Sequence, residues 1–447
     1  SDLKVRSKDL SYHEPVMPVG IVSIANEEDV SKALRICNKH GVGVVVFAAG
    51  TSLEGQVVPG REGCVVLDLS MFDKLVAVHP GDLDCVVQPG LNWMELNNQL
   101  KEHGLFFPPD PGAAATIGGM CGTCASGTLA WRYGTMKENV LALRVVLPTG
   151  EIIKTRSRAT KSSAGYDLTR LFVGSEGTLG VITQATLRLK KIPTVSAAAK
   201  FQFPTLDHAA RFSSFLVKRC IPLQRLEVMD EIAVRSVNLA FDQGLPERPV
   251  VLLDFAGTSE ADVEGQIKEV ERLARDAEFK CEDLAITKDP VQAEKLWSVR
   301  KRALFAAKSL REGAGHGKSK TRIATLTTDV AVPPSRLPDI LEVTRQLIVK
   351  HGVVAPIVAH AGDGNFHCFL LVDEANEQEI LISERFRDEM AEAAIGMEGT
   401  CTGEHGVGSG KRHLLVKELG PGAIRLMRAL KKAVDPNGIM NPGKVFE

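Results

Sequence analysis

Ala48-Ala49-Gly50-Thr51-Ser52-Leu53-Glu54-Gly55, directly after the apolar run Val44 to Phe47, is a glycine-punctuated loop at the end of a buried strand. Before it, Asn26 is placed to cap a helix, with Asp29 at the third helical position near the positive end and Gly41 at the close. Two more glycine-dense stretches follow, Pro108 to Gly127 and Gly174-Ser175-Glu176-Gly177-Thr178-Leu179-Gly180. Glycine lets backbone approach a ligand, so that successive N–H groups hold phosphate oxygens without a lysine. With 40 glycines in 447 residues, one such loop is expected by chance. Three in one α/β region point to a bound ligand.

The common nucleotide signatures do not account for them. Gly317-Lys318-Ser319 ends like a P-loop, but Glu312 stands where the first glycine belongs. Gly410-Lys411 fails likewise, with His405 at the first position and Arg412 in place of Ser or Thr. No strand opens into G-x-G-x-x-G with an acidic residue downstream, so a Rossmann fold does not fit.

Further strands are predicted in the first part at Ile21 to Ile24, Cys64 to Leu69, Leu75 to Val78, Cys85 to Gln88, Leu141 to Leu147 and Glu151 to Lys154. Near Pro193 the texture changes. Strands near Lys200 to Phe203, Val250 to Phe255 and Leu326 to Val332 alternate with amphipathic helices near Leu206 to Arg219, Glu260 to Asp276, Pro290 to Leu310 and Leu337 to Lys350. Two strand-helix-strand halves forming an antiparallel sheet, with helices on one face, satisfy that order. The tail holds helices near Glu374 to Ala394 and Pro421 to Val434.

Composition narrows the function. A net charge of −1 and only 5% aromatic residues give no footing for nucleic acid. No apolar run approaches the ~20 residues of a membrane span. Nine irregularly spaced cysteines read as free thiols, and Cys121-x-x-Cys124, lacking a second pair, reads as small residues in a tight loop. The chain begins at Ser1 without a methionine, which is read as the result of trimming a targeting segment.

The chemistry concentrates in Ala359-His360-Ala361-Gly362-Asp363-Gly364-Asn365-Phe366-His367, a predicted hairpin turning at Gly362 to Asn365. In a regular hairpin, position 361 would oppose 366 and His360 would oppose His367, roughly 4.5–5.5 Å apart at their β-carbons. Two imidazoles so placed can share a divalent cation, with Glu404 as third ligand and an open side. His405 adjoins that site, and Asp363 reads as a turn former.

Together these motifs resemble the flavin-binding half of the vanillyl-alcohol-oxidase-type FAD enzymes. The resemblance rests on residues 49–55, Pro108-Pro109-Asp110-Pro111-Gly112, Ile117-Gly118-Gly119-Met120, Ala125-Ser126-Gly127, Arg132-Tyr133-Gly134-Thr135, Glu176 to Gly180 and Asn441-Pro442-Gly443-Lys444. The His hairpin and Gly403-Glu404-His405-Gly406 are similar to the metal-containing D-2-hydroxy-acid dehydrogenase branch, and Gly364 to Cys368 to its mitochondrial, cytochrome-linked D-lactate dehydrogenases.

The resemblance implies an α+β chain. Residues 1–194 would be a two-subdomain FAD domain, residues 195–400 a ferredoxin-like antiparallel substrate domain, and 401–447 a helical segment returning to the FAD domain. Ala49, Gly50, Thr51, Ser52 and Gly55 would hold the pyrophosphate. Pro111, Thr116, Gly118, Gly119, Gly122, Thr123 and Ser126 would line the cofactor. Glu176, Val181 and Ile182 would sit at its adenine and ribose end and Asn441 at the isoalloxazine. Some relatives attach FAD through a histidine in the first loop; residues 48–55 contain none, so the FAD is expected to be non-covalent.

His360, His367 and Glu404 match the family's ligands for a divalent metal, with zinc, manganese or iron(II) all suited to the set. His405 matches the catalytic base, and Arg300 the partner of the substrate carboxylate. The implied reaction oxidises a D-2-hydroxy acid to a 2-keto acid, with the hydride passing to flavin N5. The electron acceptor would be cytochrome c, a quinone or an electron-transfer protein, the location mitochondrial, and a homodimer is admitted.

Relatives acting on D-2-hydroxyglutarate carry an asparagine where Phe369 stands and a lysine near Thr327 or Thr328. A second carboxylate buried against Phe369 would go unpaired, at a cost of several kcal/mol. D-Lactate and short apolar homologues are therefore favoured, with glycolate or D-2-hydroxyglutarate as the alternative substrates. Asn365, in the same run, joins Arg300 and Phe369 as a candidate substrate contact.

Overall fold

The computed structural model describes residues 2–242, 244–312 and 323–446. The Gly317-Lys318-Ser319 stretch lies outside them. The chain divides into two compact units, one of Ser1–Ile192 with Glu404–Glu447, the other of Pro193–Gly403.

In the first unit, β1 (Gly20–Ser23), β2 (Val44–Phe47) and β3 (Val65–Asp68) form a parallel sheet in the order β1-β3-β2. The helix Glu27–His40 starts as its sequence dictates: the Asn26 side chain accepts from Asp29 N and three acidic residues fill the first turn. Gly41, at φ 67°, ends it. The chain returns to this sheet from far away. Val44 N donates to Ile439 O at 2.7 Å and Asn441 N to Val44 O at 2.8 Å, so the C-terminal segment pairs alongside β2.

A second, antiparallel sheet joins β4 (Leu75–His79), β5 (Asp84–Val87), β7 (Val140–Val146), β8 (Ile152–Lys154) and β9 (Val181–Arg188) in the order β4-β5-β9-β7-β8, while β6 (Leu105–Phe106) pairs with β10 (Lys190–Lys191). The central strand β9 is absent from the predicted set, although Val181-Ile182-Thr183-Gln184-Ala185-Thr186-Leu187-Arg188 has strand composition. The final helix, Arg412–Val434, begins a turn or more before the predicted start and is broken at Gly420 (φ 74°) ahead of Pro421.

The second unit holds one antiparallel sheet of eight strands among the described residues. They are β11 (Val195–Gln202), β12 (Arg225–Met229), β13 (Val250–Gly257), β14 (Asp283–Thr287), β15 (Ile323–Thr327), β16 (Val330–Ala331), β17 (Ile357–His360) and β18 (Asn365–Asp373). The order β14-β11-β13-β12 is a ferredoxin-like 4-1-3-2 arrangement. A second such set begins with β17-β18-β16 and closes with an Ala331–Thr400 bridge, and β12–β17 pairing joins the two edge to edge.

Helices cover both faces of this sheet, not one. The segments 231–241, 290–301 and 303–307 pack Val234, Val237, Trp297, Ala303 and Ala306 against Val358, Phe369 and Leu371. Phe201, Phe203, Phe212 and Phe279 interlock their rings in a separate group at 5.2–5.8 Å. Predicted continuity fails at Arg302 and Lys308, which interrupt the helix read from Pro290 to Leu310.

Candidate functional site

The hairpin register differs from the regular one. His360 opposes Asn365, Ala359 opposes Phe366 and Val358 opposes His367. The turn is Ala361 to Gly364, one residue earlier than predicted. Gly364 sets it: φ is 75°, and a β-carbon there would lie 2.0 Å from Val332 O, so only glycine fits. Asp363 is exposed at the tip, with its N–H donating to His360 O at 3.1 Å, as a turn former should. The histidines are therefore diagonal neighbours on one face, their rings 5.5 Å apart and 84° from parallel.

Both rings are held through Nδ1. His360 Nδ1 donates to Glu227 Oε1 at 2.7 Å, and His367 Nδ1 to Thr328 O at 2.9 Å. A carboxylate and a carbonyl can only accept, so each ring donates from Nδ1, which in the neutral imidazole puts the lone pair on Nε2. Two buried imidazoles in that tautomer, side by side, suit a cation. The donor set fits a divalent metal.

Glu227 lies outside the predicted set. It is 1% exposed and its other oxygen accepts from Arg300 Nε at 2.8 Å. A lone Glu between Leu226 and Val228 in an alternating strand was the signal that could have found it. Arg300 thus spends Nε on Glu227 and keeps its Nη pair for another group. Asn365 is also committed: Nδ2 donates to Asp329 Oδ1 and to Val330 O, both at 2.8 Å. Phe369 is buried beside Trp297 and Val358, two residues along β18 from His367 and on the same face.

Asp329, 1% exposed and also unforeseen, gathers the end of this unit. Its Oδ2 accepts from Thr402 Oγ1 at 2.8 Å. A β-carbon on Gly403 would fall 2.1 Å from Asn365 Nδ2 and 3.0 Å from Asp329 Oδ1. The unit's last residue is thereby pressed against the hairpin, and Glu404 is next in the chain.

In the first unit, the segment after Glu404 is fastened to the glycine loops. Gln56 Nε2 donates to His405 O at 2.8 Å, Ser409 N to Glu54 O at 2.8 Å, and Lys411 Nζ sits 3.1 Å from Glu54 in a pair only 1–2% exposed. Glu176 accepts from Val407 N at 2.7 Å and Gly408 N at 2.8 Å, and burial pushes its carboxyl up to about 7. Asn441 Nδ2 donates to Gln56 O at 3.0 Å and Glu176 O at 2.7 Å. Glu176 and Asn441 act here as staples between segments. Val181 and Ile182 lie in the apolar core of the unit. His405 Nε2 lies 4.0 Å from Glu404 Oε1.

The remaining cofactor candidates share one kind of position. The helix Ile117–Thr123 buries Ile117, Met120 and Cys121, and leaves Gly118, Gly119, Gly122 and Thr123 on its other side. Gly118 owes its glycine to Pro89, whose Cβ would lie 2.6 Å from an added β-carbon. A β-carbon on Gly122 would meet nothing within 4 Å, so the bare backbone there borders open space. Thr116 precedes this helix and accepts from Met120 N through its carbonyl at 2.9 Å, its side chain making no capping bond, and Pro111 and Ser126 are half-buried. Gly50 (φ 64°) bends the first loop over the Phe47 ring, Ser52 Oγ donates to Asp9 Oδ2 at 2.8 Å, and Gly55 is buried against His13. Ala49 and Thr51 stand exposed and half-buried beside them. A glycine-faced helix and a bent loop fit a flat cofactor with a pyrophosphate. Cys121 is a buried core thiol, and every cysteine is free.

Comparison with known proteins identifies the family and the fold. Residues 18–156 match the FAD binding domain, and residues 192–445 match the C-terminal domain of FAD linked oxidases. The chain is 44% identical to the mitochondrial D-lactate dehydrogenase [cytochrome] of Arabidopsis thaliana, over 98% of the chain and 75% of that protein. It is 32% identical to the glycolate oxidase subunit GlcD of Bacillus subtilis, over 99% and 92%. In fold it is similar to the 4-ethylphenol oxidase of Gulosibacter chungangensis, with a TM-score of 0.77 at 17% identity, covering 100% of this chain and 92% of that one. The fold is of the vanillyl-alcohol-oxidase type.

Proposed function

The chain belongs to the FAD-linked oxidase family, and from that premise we propose that it oxidises D-lactate and similar short D-2-hydroxy acids to 2-keto acids, using FAD and a divalent cation. The observation that carries the metal-dependent reading is the His360–His367 pair, each ring locked through Nδ1 so that Nε2 is the nitrogen a neutral imidazole would offer a cation. Gly403, pinned beside Asn365, leaves Glu404 one residue away by chain connectivity, about 3.8 Å along the backbone. Glu404 is assigned as the third ligand.

FAD when bound supplies N5 as hydride acceptor, and a divalent cation supplies a Lewis acid for the substrate's hydroxyl and carboxylate oxygens. The side chains do the rest. The Arg300 Nη pair takes the carboxylate, while Glu227 holds the guanidinium in place through Nε. An imidazole nitrogen of His405 takes the proton from the substrate's hydroxyl oxygen as hydride leaves its carbon. Phe369 offers an apolar surface beside His367, suited to a methyl group and unsuited to a second carboxylate. Glycolate, with no side chain, and D-2-hydroxyglutarate are the runner-up substrates; the GlcD similarity supports the first.

Asn365 contributes through Oδ1, since its amide hydrogens are spent. Reduced flavin would pass electrons to cytochrome c, a quinone or an electron-transfer protein. The mitochondrial relatives support a mitochondrial location, and a homodimer is compatible with the reading. A dye-linked assay on D-lactate, L-lactate, glycolate and D-2-hydroxyglutarate tests this, before and after dialysis against chelator. D-Lactate should be the best substrate and chelation should stop turnover; equal rates on both lactate enantiomers refute it.

A further inference from the structure

A polar cavity of about 100 Å³ opens in the first unit at the end of the five-stranded sheet. Its volume is several times the ~10–15 Å³ that one water requires. Arg156, Arg170 and Arg188 line it with Thr160 and Thr169. Arg188 ends β9, seven residues from Val181, so the cavity lies about 23 Å from the strand end that follows the third glycine loop.

The carboxylates here are already engaged. Asp167 accepts from Arg170 N at 3.1 Å and from Arg170 Nη1 at 2.9 Å. Glu138 Oε2 accepts from Thr135 N and Thr135 Oγ1, both at 2.8 Å. Arg156 bonds Ala159 O through Nη2 at 2.8 Å, but its Nε is buried without a partner, and so is Nε of Arg188. Two arginines that line one cavity thus each carry a buried, unpaired Nε, and an unpaired buried donor is costly.

We infer that this cavity binds a phosphate-type oxyanion, held between the Arg156 and Arg188 guanidinium groups. Planar forks suit tetrahedral oxyanions, and the Thr160 hydroxyl can add a donor. The ligand is either inorganic phosphate or the phosphate group of a small monoester. Such a site lies at the opposite end of β9 from the third glycine loop, and would act on stability or regulation.

Calorimetry on the FAD-loaded protein tests it, with potassium phosphate and glycerol phosphate as probes and potassium chloride at matched ionic strength as the blank. At least one phosphate probe should bind saturably. Arg156→Gln and Arg188→Gln should each weaken binding about tenfold or more, the loss of one charge-assisted contact. Turnover without phosphate should be unchanged in both. Binding of the ester alone identifies a phosphorylated metabolite, and equal binding of both identifies phosphate itself. No saturable binding of either probe, or unaltered affinity in either variant, overturns the inference.

Discussion

Glu227 Oε1 accepts the Nδ1 proton of His360 at 2.7 Å while its Oε2 accepts from Arg300 Nε at 2.8 Å. One buried carboxylate therefore orients a proposed metal ligand and a proposed substrate anchor together. Its strand, β12, is the edge along which the two ferredoxin-like sets meet, with Glu227 opposite His360. The seam of the fold builds the site.

Glu227→Gln should disturb both partners, because an amide cannot accept from both His360 and Arg300. Second-layer partners of metal-bound histidines are commonly worth 10–100-fold in affinity or activity. We expect a loss of about that size in metal affinity by chelator competition, with KM for D-lactate raised and FAD content intact. Unchanged metal affinity would remove Glu227 from its role.

The open space over Gly122 makes a direct prediction for the flavin. Gly122→Leu should fold, since an added β-carbon meets nothing within 4 Å, yet the purified protein should be colourless. Circular dichroism and the visible flavin band check the two halves. A yellow variant would show that this helix face is not the flavin's.

No histidine lies in residues 48–55, and the expected attachment is non-covalent. Acid precipitation should release all flavin into the supernatant. Flavin fluorescence remaining with the pellet would contradict this.

Asp230 caps the helix Glu231–Phe241 and accepts from Ala233 N at 2.7 Å and Ile357 N at 3.1 Å, both through Oδ1. Burial raises its carboxyl from 3.8 to about 7. The folded state then binds this proton more tightly than the unfolded chain. Its stabilising effect is full below about pH 4, declines as pH rises, and is lost above about 7. Asp230→Asn keeps Oδ1 as acceptor but removes the titration. Unfolding free energies from urea titrations between pH 4 and 7 should fall less steeply in the variant, by up to about 1.4 kcal/mol per pH unit. Glu176, raised to about 7, keeps part of the slope. Identical slopes would contradict the assignment.

Much of this was legible in the residues. The helix Glu27–His40 and strand β2 follow from a cap, an αL glycine and an apolar run, all local signals. The two histidines announced themselves by their spacing across a glycine turn. Their register did not, because the turn position is fixed by Gly364 against Val332, a residue just past β16 and over thirty positions earlier in the chain. Glu227 escaped because β12 lies well over a hundred residues before its partner His360. Glu176 and Asn441 carry family motifs, yet sequence could not distinguish a ligand contact from a staple between distant loops. Strand β9 is placed by pairing with β5 and β7, partners tens of residues earlier in the chain, which local composition does not reveal.

Anaerobic titration of the yellow protein with D-lactate measures the central claim most directly, run beside His405→Ala. The account predicts bleaching of the flavin band by D-lactate and not by L-lactate. The variant should keep its FAD and reduce it about 10²–10⁴-fold more slowly. Flavin that stays oxidised with every short D-hydroxy acid, or a variant that bleaches at the parent rate, would contradict it.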